Sequence, residues 1–196
     1  MLTPWGYSID AQSVPAIIDV TTFNQITGNR YAGDERVESA INAATASIRA
    51  WCGWHVAPIL TCECMMDGER GDIWLPCVGL HSVESVEFDG VGQTVSGFNR
   101  FGRVRTANPQ PTGLGNVSVS YTAGFDVAAA PDLADVIAQR VVAAVALGSY
   151  GIASESAGGV SISYSGTALS DAGGVFLTDS VKAALMPYRL VKCHVA

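Results

Sequence analysis

The stretch that most constrains this chain runs over residues 34–58, DERVESAINAATASIRAWCGWHVAP. Val37, Ile41, Ala44, Ile48 and Trp51 fall at helical spacing and form one apolar stripe, while Glu38, Asn42, Thr45 and Arg49 repeat that spacing on the other side. The pattern predicts an amphipathic helix of about five turns, about 27 Å long. Gly33-Asp34 supplies an N-cap, acidic residues fill the first turn, and Gly53 is placed for a left-handed C-terminal cap. Pro58 then imposes an extended exit. One long helix, stopped sharply, is the frame on which the remaining elements must pack.

The flanking segments differ in period. Residues 1–15 show none and read as an arm, in which Trp5 and Tyr7 can tuck against a neighbour. Residues 22–28, TFNQITG, predict a short helix capped by Thr21 or Thr22, closed by Gly28, with Phe23 and Ile26 inward. From 59 to 126 the period becomes two. Strands are expected at 59–66 (Leu60, Cys62, Cys64 and Met66 on one face), 72–76, 83–89, 98–105 and 116–122. Turn residues separate them, Asp89-Gly90 among them, so this part reads as a small, mostly antiparallel β-unit. Pro131 opens a second long helix reaching about residue 149, polar early (Asp132, Asp135, Gln139) and apolar all round after Arg140. A helix without a wet face is buried by its own fold, by another subunit, or by a share of both. Residues 151–174 are Gly-rich around one alternating run, Val160, Ile162 and Tyr164 against Ser161, Ser163 and Ser165. Thr178 caps a last short helix with Val181 and Leu185 inward, ended by Pro187.

Composition narrows the function. Of 196 residues 48% are hydrophobic and only 15% charged, an excess that points to apolar surface reserved for neighbours. The net charge is −7 and the 11 basic residues read as scattered, which argues against wrapping DNA but suits a surface past which DNA slides. No apolar run is long enough to cross a bilayer, and MLTPWGYSID has neither basic region nor apolar core, so a soluble protein without a secretory address is expected. Five cysteines, an odd number, fit a reduced compartment.

Candidates for chemistry are few. Cys62-x-Cys64 shares a strand face, with Cys77, His55 and His81 near in sequence, so zinc ligation is one reading. Irregular spacing and the company of Leu60 and Met66 favour apolar filling of a strand face instead. No serine sits in a G-x-S-x-G elbow, and GDERV, GLGN and AGGVS lack the setting of a phosphate loop. His55, at a helix end, is expected to bond a final carbonyl. Glu63, Asp67, Glu69 and Asp72 gather near a turn, with a spacing that does not match a calcium loop. No catalytic residue, cofactor or metal is therefore expected, and the chain reads as a non-enzyme.

The order of motifs carries more information than any one of them. ITG closes a short helix, AWCGWHVAP closes a long one, and LP precedes LHSVESV. VSVSYTAGFD leads into PDLADV, and SESAGGVSISYSG is followed by LTDSVKAALMPYRL. Together, over residues 21–190, these resemble the head-to-tail connector (adaptor) proteins of long-tailed bacteriophages, of the siphovirus, actinobacterial-phage type. The resemblance implies a ring, typically of twelve copies, beneath the portal protein at the capsid–tail junction, the virion neck, continuing the DNA channel toward the next neck or tail protein. It implies a helical bundle carrying a β-rich elaboration, and a C-terminal segment that reaches the portal, here Leu185, Tyr188, Arg189, Leu190 and Lys192.

The expected fold is thus α+β, a small helical bundle with long central helices and an inserted antiparallel β-unit, in a single connector domain over 1–196. Its parts are an arm (1–20), a helical core (21–58 and 131–149), the β-rich insertion (59–126), a flexible arm with a strand (150–177) and a C-terminal helix and tail (178–196). Ring contacts need two apolar flanks, for which Trp51 and Val141, Val142, Val145 and Leu147 are candidates. Val160, Ile162 and Tyr164 can add a strand to a neighbour. Rival expectations are a tail-terminator or head-closure ring protein and, in a different class, a small zinc-binding protein using Cys62, Cys64 and Cys77.

Overall fold

The computed structural model describes residues 1–146, 154–157, 160–163 and 177–190, with backbone alone for 146, 154–157 and 160–163. Contacts group the chain into two compact units, one of Met1–Ile17, Cys52–Ala130 and Pro187–Ala196, the other of Ile18–Trp51 and Pro131–Met186.

The first unit is built on β-structure. Its strands are β1 (Tyr7–Ile9), β2 (Leu60–Gly68), β3 (Ile73–Trp74), β4 (Leu80–Phe88), β5 (Val91–Gly92), β6 (Val95–Phe98), β7 (Arg103–Thr106) and β8 (Gly113–Ala123). A five-stranded antiparallel sheet has the order β1-β2-β8-β4-β5, and a three-stranded one the order β3-β7-β6. The 11-residue β8 lies at the centre of the larger sheet. Cross-strand partners share a face, so Cys64–Val119–Val86 and Met66–Val117–Phe88 form apolar rows across β2, β8 and β4. The opposite rows, Glu63–Ser120–Ser85 and Met65–Ser118–Glu87, are polar but for Met65. One sheet face feeds a core and the other stays wet.

The second unit holds α1 (Val20–Ile26), α2 (Arg36–Cys52, but for its last residue), α3 (Pro131–Ala146), α4 (Asp179–Ala184) and an antiparallel pair of β9 (Ser154–Ala157) and β10 (Val160–Ser163). Val37, Ile41, Ala44 and Ile48 of α2 are buried, as its stripe predicts, and so are Leu133, Ile137, Val141 and Val145 of α3. Each fully buried Leu or Ile contributes about 1.5–3 kcal/mol. Gly53 follows α2 at φ +81°, the left-handed closure expected there. The predicted cap of α1 moves by two or three residues: Asp19, not Thr21 or Thr22, accepts the Thr22 N–H at 2.7 Å.

The expected architecture needs correction. This is a mixed α+β protein with substantial antiparallel sheet, not a helical bundle with long central helices carrying a β-insert. Among the described residues helical periodicity is sustained only over α2 and α3, of 17 and 16 residues, whereas α1 and α4 have seven and six. Strands β2, β4 and β8 are nine, nine and 11 residues long and pair along most of their length. The larger sheet also recruits the N-terminal stretch read as an arm, where Tyr7 pairs with Cys64 and Ile9 with Cys62. A three-residue strand is too short to reveal a period, and its partner lies more than fifty positions away.

A second correction concerns 98–105, expected as one strand. Residues 99–102 are instead the turn of a hairpin between β6 and β7, because the Asn99 side chain accepts the N–H groups of Phe101 at 3.0 Å and Arg103 at 3.1 Å. An Asx turn of this kind reverses the chain where alternation alone suggests continuation.

Candidate interaction surfaces

Several residues singled out by sequence lie inside the chain's own interior. Leu185 is fully buried and Tyr188 nearly so. The Tyr188 carbonyl accepts the Trp54 indole N–H at 2.7 Å, its ring meets Phe125 edge-on at 4.9 Å, and the Leu190 N–H donates to the Cys52 carbonyl at 2.8 Å. Arg189 is exposed and Leu190 half-buried, while Lys192 lies outside the described residues. Residues 187–190 are therefore fastened within the first unit, to which they belong.

His55 reaches residues distant in sequence, on β1 and β8. It is wholly buried, with Nε2 3.1 Å from the Ala123 carbonyl of β8 and Nδ1 2.7 Å from the Tyr7 hydroxyl. A carbonyl only accepts, so Nε2 carries the proton and Nδ1 accepts from Tyr7. The same hydroxyl accepts the His55 backbone N–H at 3.1 Å. This network ties β1 and β8 to the loop after α2 and leaves the imidazole shut away from solvent.

The thiols are core residues. Burial pushes Cys62 and Cys77 up to about 12 and raises Cys64 as well, so thiolate ligands are disfavoured. Among the described residues no three His, Cys, Asp or Glu side chains form a set able to hold a metal ion. His81 is exposed on β4, its Nε2 donating to the Gly124 carbonyl at 2.8 Å.

Of the expected subunit contacts, Val141 and Val145 are buried, and Trp51 is half-buried with the Lys182 ammonium 5.5 Å from its ring centroid. Val142 is half-buried and lines a shallow, mainly apolar groove of about 320 Å³ together with Ile26, Thr27, Asp135, Ala138, Gln139 and Ala143. The all-apolar half of α3 thus leaves part of one side uncovered. Leu147 and Tyr164 lie outside the described residues, and Val160 and Ile162 pair through their backbone with Ala157 and Glu155.

Sequence reading missed the arginines of 98–105, which it counted among scattered basic residues. Arg103 and Arg105 flank the buried Val104 on β7 and point to the outer face of the small sheet, beside Trp74 of β3. Asp72 is bonded to both guanidiniums, 2.9 Å from Arg105 Nε, and Arg105 then Arg103 hold its carboxyl down to about 2. The Arg103 guanidinium lies 5.5 Å from the Trp74 ring centroid, and in the adjoining turn Arg100 lies 5.2 Å from that of Phe101. Trp74 is 52% exposed and Phe101 56%. The signal was present as three arginines and two phenylalanines within FNRFGRVR.

The chain matches no known protein family and no curated protein sequence. Its fold is similar to solved chains from the neck of a gene transfer agent (GTA) particle. One, from the neck of an empty GTA particle computed with C6 symmetry, gives a TM-score of 0.62 at 17% identity, over 97% of this chain and 98% of that one. Another, from the neck of the native particle computed with C12 symmetry, gives 0.57 at 14% identity over the same shares.

Proposed function

We propose that this chain is a structural protein of a virion neck, in which copies form a ring that joins the head to the tail. The observation that carries the proposal is likeness of fold to neck chains over 97% of this chain and 98% of theirs. The symmetries of those necks are the reason for a ring, with twelve subunits favoured and a sixfold arrangement as its subset. In this reading the ring lies beneath a portal protein, continues the channel through which DNA passes, meets the next neck or tail protein on its other side, and performs no catalysis. The net charge of −7 supports passage without retention, since phosphate-binding surfaces need concentrated cations.

Two measurements test this. Cryo-electron microscopy of particles carrying a tagged copy should place the chain in a closed ring at the head–tail junction. Particles made without the chain should give DNA-filled heads lacking tails. Tailed, infectious particles in its absence would refute the proposal.

A further inference from the structure

We propose that the arginine–tryptophan face of the small sheet docks on the acidic face of the five-stranded sheet in a second copy of this chain, making the head-to-tail contact of the ring. The inference rests on the neck reading above and adds to it the two surfaces that meet. On one side stand Trp74, Arg103 and Arg105. Their side chains are already ordered, because Asp72 clamps both guanidiniums and Trp74 lies against Arg103. Prior ordering lowers the entropy lost on docking, and exposed Trp and Arg are the residue types that concentrate binding energy at protein interfaces.

Charge complementarity selects the occupant. Apart from Arg100, Arg103, Arg105 and Asp72, the chain's other eight basic residues face seventeen acidic ones, so another copy is an acidic partner. The wet face of the larger sheet is one acidic surface of that copy. Glu63 of β2 and Glu87 of β4 share that face with Ser118 and Ser120 of β8, and Glu84 reaches it by accepting the Thr122 hydroxyl at 2.8 Å. No Lys or Arg occurs in β1, β2, β4 or β8. Met65, 69% exposed, stands among these polar groups as an apolar landing point for Trp74. The two surfaces thus match in charge and each offers a large exposed apolar side chain. Being different surfaces of one molecule, they form a heterologous contact, the kind that closes a ring. Nucleic acid is the weaker candidate, because Asp72 already offsets part of the charge of only three arginines.

The test uses the full-length chain. Self-association is followed by sedimentation and native mass spectrometry, with circular dichroism confirming the fold of each variant. Arg103→Glu with Arg105→Glu, and separately Glu63→Arg with Glu87→Arg, should each weaken association at least about tenfold, and mixing the two variants should restore part of it. Trp74→Ala, which leaves the Asp72 clamp intact, should also weaken it. A chain carrying Met65→Cys and Trp74→Cys should give a ladder of disulfide-linked multimers under mild oxidation. If the wild-type chain forms rings that the reversals leave intact, and the cysteine pair gives no ladder, the inference falls while the neck reading stands. If the arginine reversal abolishes binding to single-stranded or duplex oligonucleotides but spares the ring, the face serves nucleic acid and the inference is overturned. A chain absent from any ring, alone or in particles, overturns both.

Discussion

At the residue scale, Asp72 shows how one carboxylate can organise a surface. Its carboxyl titrates near 2 in the folded chain, against 3.8 when free, because Arg105 and Arg103 surround it. The depressed value means that the unfolded chain binds the extra proton first as pH falls. The clamp therefore contributes its full stabilisation above about pH 4 and loses it progressively between about pH 4 and pH 2. Asp72→Asn should flatten the dependence of the unfolding midpoint on pH in that window and leave its slope above pH 5 unchanged, as followed by urea titrations at graded pH. Gly124 illustrates a different constraint. At φ +134°, an added Cβ would lie 2.3 Å from the Pro58 carbonyl oxygen, so only glycine permits the chain leaving β8 to pass this close to the loop after α2.

At the element scale, the C-terminal 3₁₀ turn Met186–Tyr188 is fastened by backbone rather than by charge. The Trp54 indole N–H donates to the Tyr188 carbonyl, and the ring of Tyr188 rests on Phe125. Trp54→Phe keeps most of the apolar contact and removes the donor, leaving that carbonyl one partner short. The expected cost is about 1–2 kcal/mol in urea unfolding, with faster tryptic cleavage at Arg189. Unchanged cleavage would mean that ring packing alone holds the segment. The hairpin of β6 and β7 belongs to this scale too. Its Asn99 side chain bonds two backbone N–H groups, and that local geometry brings Arg100 and Phe101 to the tip and aligns Arg103 and Arg105 beside Trp74. An Asn and a Gly within an alternating run are visible signals of a turn, but alternation outweighed them in the sequence reading.

At the scale of the whole molecule, charge sets what the surface leaves alone. With 18 acidic and 11 basic residues, and the tightest group of arginines partly offset by Asp72, the isolated chain should not shift duplex DNA in a gel at physiological salt. A salt-sensitive shift would contradict both passage without retention and the assignment of the arginine face to a second copy.

Much of this chain was legible before its structure. The periodicity of 34–58 places α2 and its buried stripe, Pro131 opens α3, and alternation finds the cores of β2, β4 and β8, because these signals arise between residues that are neighbours in sequence. The apolar setting of Cys62 and Cys64 was readable for the same reason. Tertiary structure alone decided that Tyr7 leads an edge strand, that His55 is locked between Tyr7 and β8, that Leu185 and Tyr188 face inward, and that sheet rather than bundle dominates. Strand pairing joins residues more than fifty positions apart, and no local pattern encodes which partner a short strand will find. Side-chain alternation tells which face of a strand is wet, but only the assembled sheets show that one wet face carries arginine and the other glutamate.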